Sequence, residues 1–400
     1  MAEASYGPQA RRSFFGLAAA ACLALTLGAC QLVPKSRPEQ APQPQTAEPA
    51  RPEPEPEGPP LPEGETRNRV AVLVPTTGAN AGVGQSIANA ANLALLDAGS
   101  ERIRITVYDT AKGGAAAAAN LAVSEGNGLF LGPLLADDVR AVAPIARRAN
   151  IPVITFSNDV SVAGNGVYVM GFTPGQSVER VVEYARGRGV RRFASLVPEG
   201  VYGTRASQAM VQAMAGADGE LVASQSYDRG PGALRTAITR MNGSGGYDAV
   251  LVADGGRIAS AAAPLIRDSA SPGARILGTE LWAAESDLGR TPGLRGSWYA
   301  SVSETMFSQL RSRYRSRYGA NPYRLASLGY DAVLLAVRIG KEWRVGRPFP
   351  EGELRDSGGF AGVDGPFRFD RLGVAERSLE VLEVTATGTT IVSPAPRGFE

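Results

Sequence analysis

Short apolar runs alternate with amphipathic stretches along most of this chain. Residues 70–74 form an apolar run suited to a strand buried on both faces, and a helical stretch over 83–98 follows after a Gly-containing turn. Further strands are predicted at 103–109, 129–132, 152–155, 193–197, 221–227, 247–253 and 275–278, and further helices at 115–123, 138–148, 176–188, 204–215, 234–241 and 258–268. Strands that alternate with helices of this length predict right-handed crossovers and parallel sheets.

The alternation falls into two runs, near 68–171 and 172–280, which predict an α/β fold with two doubly wound parallel-sheet lobes and a central cleft. The expected body spans 67–400, with lobe 1 at about 68–171 plus 282–335 and lobe 2 at about 172–281 plus 336–392. In such sheets ligands bind beyond the carboxyl ends of the strands. The loops at those ends are therefore expected to line the cleft.

The segment after the second run is predicted to contain two helices, at 304–318 and 325–342, and a short β pattern from residue 367 onward. The first of these helices carries four arginines at alternate positions between residues 311 and 317. We expect them to face solvent on an amphipathic helix, and an anionic partner surface is the alternative.

The first thirty residues carry the features of an export signal. Arg11 and Arg12 precede an apolar run over 14–27, which is followed by Gly28, Ala29 and Cys30. A run of this length would rise about 21 Å as a helix, short of a bilayer core of about 30 Å. A secretory signal over 1–29 is therefore predicted. The paired arginines leave open whether export follows the general secretory or the twin-arginine route.

Residues 27–30, Leu-Gly-Ala-Cys, resemble the bacterial lipobox, in which the signal is cut before a cysteine that becomes acylated. The resemblance implies lipidation of Cys30. Gln31, which stands where an aspartate is associated with inner-membrane retention, points to the periplasmic face of the outer membrane. The region from 30 to 66 follows as a tether, with 11 of the 28 prolines in 31–66. Its apolar content is too low to offset the entropy of ordering, so we expect disorder and a long reach.

Composition excludes several classes of enzyme. The chain has no histidine, and its two cysteines, Cys22 and Cys30, both lie near the amino terminus. Ser-His-Asp and Cys-His catalysis, imidazole-based metal or haem sites and a disulfide within the body are therefore excluded. A net charge of +2 on 400 residues provides no field that would attract nucleic acid. We predict no cofactor, no metal and no nucleic-acid partner.

The loops offer little catalytic chemistry. The glycine-rich turn at 78–84 lacks the Lys-Ser/Thr of a phosphate-binding loop and the third glycine of a dinucleotide fingerprint. Four carboxylates fall at predicted strand ends: Asp109, Asp159, Asp254 and Glu280. A pair of them could in principle perform acid–base work, but capping the next helix is the commoner role for such an aspartate. No catalytic residue is predicted.

Several motifs resemble those of type I periplasmic binding proteins, in particular the receptors for branched-chain amino acids. The matching segments are 70–75 with Gly78, Gly132-Pro133, 152–155, Tyr202-Gly203 and 365–369. Within the coverage of about 69–387, three segments resemble the lipoprotein subgroup called penicillin-binding protein activators: 275–282, 325–332 and 358–367. That resemblance implies binding to bifunctional peptidoglycan synthases from the outer membrane and their stimulation, without catalytic residues.

The resemblance also implies a set of cleft residues. Amino acid receptors hold the ligand through a serine soon after the Gly-Pro turn and through groups after the Pro-x-Ile-Thr strand, and Ala136 stands at the serine's place here. The candidate cleft or ligand residues are Ser157, Asn158, Asp159, Tyr202, Asp254 and Glu280. A missing hydroxyl removes a charge-assisted hydrogen bond of about 1.5–3 kcal/mol. A tight amino acid site is therefore not expected, and another small ligand remains open.

These features together favour a non-catalytic periplasmic lipoprotein that binds and stimulates a penicillin-binding protein. The alternative is a solute-binding receptor of an ABC transporter for branched-chain amino acids or related small molecules. A hydrolase of cell-wall sugars or peptides ranks third. The partner's contact surface, the ligand and the oligomeric state are left open by the sequence.

Overall fold

The computed structural model describes residues 58, 60–215, 219–396 and 398–399. The predicted signal over 1–29, Cys30 and most of the predicted tether lie outside the described residues. The last part of that tether, 60–66, is described, and it lies against the body. The Glu65 carboxylate pairs with Arg67 at 3.2 Å and with Arg104 at 3.3 Å. This end of the predicted tether is therefore linked by ion pairs to Arg67 and to Arg104 of the second strand.

Lobe 1 is built on a five-stranded parallel sheet in the order β2-β1-β3-β4-β5. The strands are β1 (Asn68–Val74), β2 (Ile103–Asp109), β3 (Asn127–Leu131), β4 (Val153–Thr155) and β5 (Val167–Val169), and the helices between them are α1 (Ala81–Ala98), α2 (Ala115–Ser124) and α3 (Ala136–Arg148). Every residue of β1 and β3 is buried, which explains their continuous apolar sequences.

Lobe 2 is built on a seven-stranded sheet in the order β15-β14-β10-β9-β8-β6-β7. Its parallel strands are β6 (Arg192–Pro198), β7 (Glu220–Tyr227), β8 (Ala249–Val252), β9 (Arg275–Gly278) and β10 (Trp298–Ser301), and its antiparallel strands are β14 (Glu380–Thr385) and β15 (Gly388–Ser393). Its helices are α4 (Pro174–Gly187), α5 (Val201–Met214), α6 (Ala233–Asn242) and α7 (Gly256–Arg267).

The chain then returns to lobe 1. Helices α8 (Glu304–Tyr318) and α9 (Ala326–Ile339) bury their apolar sides in the same core as α1. A three-stranded antiparallel sheet follows, consisting of β11 (Phe360–Gly362), β12 (Gly365–Phe369) and β13 (Ala375–Arg377). The predicted fold class, two parallel-sheet α/β lobes, is confirmed.

The predicted lobe boundaries after residue 281 are wrong. Trp298 and Tyr299 of β10 pair with β9, so the first part of the predicted lobe 1 segment, 282–335, belongs to lobe 2. Conversely, the first part of the predicted lobe 2 segment, 336–392, packs in the lobe 1 core as far as Ala375. The four residues of β10 are too few to show the alternation of a strand, and their pairing with β9 cannot be read from neighbouring residues. The sequence pattern therefore could not assign this segment to lobe 2.

The chain consequently crosses between the lobes three times, at 170–173, 302–303 and 378–379. Around these crossovers lie four charged side chains that we call the hinge cluster: Arg324, Asp331, Asp364 and Arg377. Asp331, Asp364 and Arg377 are buried, at 1%, 0% and 8% exposure. The guanidinium carbons of both arginines lie over the ring of Phe172 in the first crossover, at 5.5 and 5.0 Å.

Within the hinge cluster the charges are only partly paired. Arg324 Nη1 lies 2.7 Å from Asp364 Oδ1, and Arg377 Nη2 donates to the carbonyl oxygen of Met170 at 2.7 Å. Asp331 Oδ1 accepts from the amide of Val363 at 2.8 Å, while its Oδ2 has no hydrogen-bond partner in the described chain. Burial and the neighbouring Asp364 charge raise the pKa of Asp331 to about 7.

In each lobe, a glycine in the helix that follows the first strand lets that helix lie close to the end of the strand. A Cβ on Gly84 of α1 would lie 1.9 Å from the carbonyl oxygen of Pro75, and one on Gly203 of α5 would lie 1.7 Å from that of Pro198. Only glycine permits this approach. It holds the first turn of α5 at the carboxyl edge of the lobe 2 sheet, where the cleft lies.

Within the described part of the chain, no helix combines the length and the apolar character needed to cross a membrane.

Candidate functional site

The lobe 1 wall of the cleft is a turn that follows β4. Thr155 Oγ1 donates to the carbonyl oxygen of Pro133 at 2.7 Å and accepts from the amide of Ser157 at 3.1 Å. Ser157 Oγ in turn accepts from the amide of Asp159 at 3.1 Å. The Ser157 hydroxyl is buried and helps form the turn, whereas Asn158 at its tip is exposed and makes no hydrogen bond within the described residues.

Asp159 is the centre of an ion cluster at the cleft. Its carboxylate, 5% exposed, lies 2.8 Å from Arg140 Nη2 and 3.5 Å from Arg205 Nη2 and accepts from the amide of Ser161 at 3.0 Å. Burial alone would raise its pKa, but the hydrogen bonds from Ser161 and Arg140 together lower the pKa below its usual value. Since Arg140 lies on α3 and Arg205 on α5, this carboxylate is bound from both lobes.

The lobe 2 wall contains a second hydrogen-bonded group around Glu280, directly after β9. Tyr202 donates its hydroxyl hydrogen to Glu280 Oε1 at 2.9 Å, and the hydroxyls of Tyr202 and Thr279 lie 2.8 Å apart. Ser177 on α4 donates to Glu280 Oε2. Burial raises the pKa of Glu280, and burial together with the Glu280 charge raises the pKa of Tyr202 well above its ordinary value.

Asp254, after β8, lies in the same wall but has its own partners. It accepts from the hydroxyl of Tyr227 at 2.7 Å and from its neighbour's amide, Gly255, at 2.7 Å. Arg229 Nη2 reaches both carboxylate oxygens, at 2.9 and 3.0 Å. Burial and the Asp254 charge raise the pKa of Tyr227. Asp254 is thus committed to a structural ion pair at this strand end.

Asp109 at the end of β2 does not cap the next helix, whose N-cap is Gly114, but binds the turn that follows β1. It accepts from Thr77 Oγ1 at 2.6 Å and from the amides of Thr76 and Ala111 at 3.0 Å each. Burial opposes its ionisation, yet these hydrogen bonds lower its pKa to about 2. Each of the four strand-end carboxylates is therefore held by a different set of partners.

The structure brings the predicted cleft residues to the two walls, but sequence reasoning missed the residues that pair with them. Arg140, Arg205, Ser177 and Arg229 were not singled out. A signal did exist for two of them: Arg140 and Arg205 each lie near the beginning of a helix that starts at a cleft-facing strand end. Their rotation toward Asp159 could not be read from the pattern.

The site also lacks the ligand set of a metal centre. Across the described ranges, no three acidic side chains come together as they would to coordinate a metal ion. The carboxylates of this site can bind polar groups of a small molecule only by giving up the partners that they already have, whereas the exposed Asn158 side chain is free to do so. Its direct chemical capability is to hold the two lobes together through the Asp159–Arg205 ion pair.

Comparison with known proteins covers nearly all of the two lobes. A family model described as periplasmic binding protein matches residues 68–389. Among curated proteins, an uncharacterised protein of Rickettsia prowazekii (strain Madrid E) is 27% identical over 174 residues. That match covers 43% of this chain and 47% of the relative, so the chain spans about half of the relative's length.

The solved structures of similar fold include proteins of two functional groups. One, from Rhodospirillum rubrum and described as a branched-chain amino acid ABC transporter protein, has a TM-score of 0.72 and 21% identity, covering 82% of this chain and 100% of that one. Another is the C-domain of LpoA from Haemophilus influenzae, described as a regulator of PBP1A. Its TM-score is 0.63 at 18% identity, and the match covers 81% of this chain and 100% of that one. Likeness at these identities establishes the fold alone.

Proposed function

The chain belongs to the periplasmic binding protein family, and from that premise we propose that it is a non-catalytic lipoprotein that binds and stimulates a peptidoglycan synthase, a penicillin-binding protein. Family membership implies a periplasmic location. The proposal adds that Cys30 carries the lipid anchor at the outer membrane and that the body engages its partner through the protein surface.

One observation carries this proposal: the carboxylates of the cleft are already bound by the chain's own side chains. Arg140 and Arg205 bind Asp159, while Ser177 and Tyr202 bind Glu280. An amino acid that entered the cleft would break hydrogen bonds to charged groups worth about 1.5–3 kcal/mol each. A solute receptor needs polar groups that are free to bind its ligand. A protein that binds its partner through its surface does not, so a cleft whose carboxylates are already paired supports the second role.

Likeness in fold to the Haemophilus influenzae protein described as a regulator of PBP1A is compatible with this role. The missing serine at Ala136 and the exposed, unbonded side chain of Asn158 agree with it as well, because neither supplies a fixed ligand contact.

The direct test mixes the purified mature chain with a bifunctional penicillin-binding protein and measures glycan polymerisation and crosslinking from a lipid-linked precursor. We expect a complex and a higher rate of at least one reaction. A pull-down from crosslinked cells gives an independent readout. Recovery of a permease and no synthase, together with unchanged rates, would contradict the proposal.

The anchor is tested separately by labelling cells with a fatty acid. We expect label in the native chain and none in a Cys30→Ser variant. Label retained by the variant would refute lipidation at Cys30 without bearing on the synthase.

A solute receptor is the second candidate, favoured by the fold likeness to the Rhodospirillum rubrum protein and by the polar lobe 2 wall around Glu280. A thermal-shift panel of amino acids and aromatic acids discriminates the two. A true ligand at 100 times its dissociation constant adds about 2.7 kcal/mol of stability. A Glu280→Gln variant provides the control, since a cleft ligand should lose affinity there.

A further inference from the structure

A cavity of about 960 Å³ lies at the third crossover, and none of the predicted cleft residues lines it. We call it the crossover cavity. Its volume is near the top of the range of about 300–1,000 Å³ that is usual for small-molecule sites. One wall is α4, a second is formed by Arg368 and Glu376 of the β12–β13 hairpin, and a third is the carboxyl-terminal tail with Phe399.

The walls of the crossover cavity come from both lobes. Helix α4 packs in lobe 2, whereas β12 and β13 pack in the lobe 1 core. Gln176 of α4 joins them directly: its Nε2 donates to the carbonyl oxygen of Ala375 at 2.6 Å, and its Oε1 accepts from the amide of Arg377 at 2.9 Å. A ligand held between these walls would therefore favour the lobe arrangement seen here.

Most charges that line the crossover cavity have partners. Arg368 lies 2.7 Å from Glu376, and its guanidinium carbon lies 4.8 Å from the centre of the Phe399 ring. Arg180 donates to the carbonyl oxygen of Leu379 at 3.1 Å and lies 3.7 Å from Glu183. These side chains are therefore committed to the protein itself.

Two lining charges of opposite sign have no such partner. Glu179 is exposed and makes no hydrogen bond or ion pair with any described residue, and partial desolvation by its surroundings raises its pKa. Arg186 has no acidic partner among the described residues, and its Nε is buried without an acceptor. Arg186 as a whole is half-buried, so a ligand's carboxylate would pair with the accessible part of its guanidinium group rather than with Nε.

The spacing of these two charges sets the length of the ligand. Glu179 and Arg186 are seven residues apart, nearly two helical turns, so they share one face of α4. Their Cα atoms are separated by about 10.5 Å along the helix axis. A fully extended peptide rises about 3.3–3.6 Å per residue, so three residues span about the same distance. Favourable interaction with the helix dipole explains a cation in the last turn, such as Arg186. It does not explain Glu179, which lies beyond the first turn, because that effect fades within one turn.

We propose that the crossover cavity binds a short peptide with free ends, about three residues long, whose ammonium group pairs with Glu179 and whose carboxylate pairs with Arg186. The Phe399 ring supplies an apolar surface for its side chains. This site is separate from the cleft and independent of the synthase partner, so its failure would leave the proposed function standing.

The test uses the full purified chain and calorimetric titration with trialanine, its N-acetylated form and its C-amidated form. We expect the free peptide to bind and each capped form to bind at least about tenfold more weakly. Glu179→Gln should weaken the free peptide by a similar factor and abolish the effect of acetylation. Arg186→Gln should do the same for amidation.

Matched controls neutralise charges elsewhere on lobe 2: Glu220→Gln on β7 and Arg235→Gln on α6 should leave trialanine affinity unchanged. No binding at millimolar peptide would overturn the proposal. So would wild-type affinity in both Glu179→Gln and Arg186→Gln. Affinity lost instead in Glu280→Gln would assign the peptide to the cleft and would also overturn it.

Discussion

Replacing Asp331 of the hinge cluster by asparagine tests whether burial and charge repulsion, rather than ion pairing, dominate at the crossovers. Asparagine keeps the shape of the side chain and an oxygen that can accept from the Val363 amide, as Asp331 Oδ1 does at 2.8 Å. It removes the charge that burial and Asp364 disfavour. The effect should therefore appear only where the native carboxyl is ionised.

The sign and size of the stability difference between the native chain and the variant follow from the pKa of this carboxyl group in the folded and in the unfolded chain. In the folded chain the pKa of Asp331 is about 7, whereas an unfolded aspartate has a pKa of about 3.9. Below pH 4 both states hold the proton, and between pH 4 and 7 the folded state holds a proton that the unfolded state has lost. Stability of the native chain relative to Asp331→Asn therefore falls as the pH rises from about 4 to 7, by on the order of 1 kcal/mol per pH unit and by a few kcal/mol in all.

Urea unfolding followed by the fluorescence of the three tryptophans measures this difference at pH 4, 5.5, 7 and 8. The variant should match the native chain at pH 4, exceed it by about 2 kcal/mol at pH 5.5 and exceed it most at pH 8. Asp268→Asn, an exposed aspartate at the end of α7, is the matched control and should give a flat difference. A variant less stable than the native chain at pH 8 would refute the reasoning, because Asp331 would then act mainly as a partner of Arg377.

Three further predictions concern the cleft. A double-mutant cycle of Asp159→Asn and Arg205→Gln should give a coupling of about 0.2–1 kcal/mol in urea unfolding that becomes weaker, but does not vanish, in 1 M salt. Gly203→Ala should destabilise the fold by on the order of 3 kcal/mol, seen as a lower Tm, because the added Cβ would lie 1.7 Å from a carbonyl oxygen of β6. Tyr202→Phe should cost about 1–3 kcal/mol at pH 8 and less at pH 5, because burial raises the pKa of Glu280 and a lower pH favours its protonated form, which is the weaker acceptor.

Each of the three cleft predictions would be contradicted by a specific result. A coupling of zero at low salt, or one that is unchanged in 1 M salt, would contradict an ion pair between Asp159 and the partly exposed Arg205. Gly175→Ala, whose Cβ would meet no atom within 4 Å, is the control for Gly203→Ala and should change stability by less than about 1 kcal/mol. Equal losses at pH 5 and pH 8 for Tyr202→Phe would mean that its hydrogen bond does not depend on the ionisation of Glu280.

The cleft residues could be predicted from the sequence wherever the end of the preceding strand could be predicted. Ser157, Asp159, Asp254 and Glu280 directly follow strands whose apolar runs are visible locally, and parallel strands bring such ends to one edge of a sheet. Their partners were not predictable. Whether Arg205 faces Asp159 depends on how α5 is rotated in lobe 2 and on how that lobe meets lobe 1.

The same limit applies to the crossover cavity. Its walls come from α4, from a hairpin about 190 residues later in the chain and from the tail beyond β15. The charges of Glu179 and Arg186 are visible in the sequence, but their lack of partners is a property of the packed lobes.

By itself the sequence predicted most of the strands and helices, because a longer buried strand and an amphipathic helix each follow from the period of neighbouring residues. It did not predict β5 or β10, which are only three and four residues long. It also predicted an export signal, an anchor at Cys30 and a tether, all of which remain predictions outside the described residues. Only the tertiary structure decided that β10 joins the lobe 2 sheet, that Asp331 and Asp364 meet between two arginines and that Asp159 is bound from both lobes. These outcomes depend on pairings between residues far apart in the chain, whose energies arise only when burial brings them together.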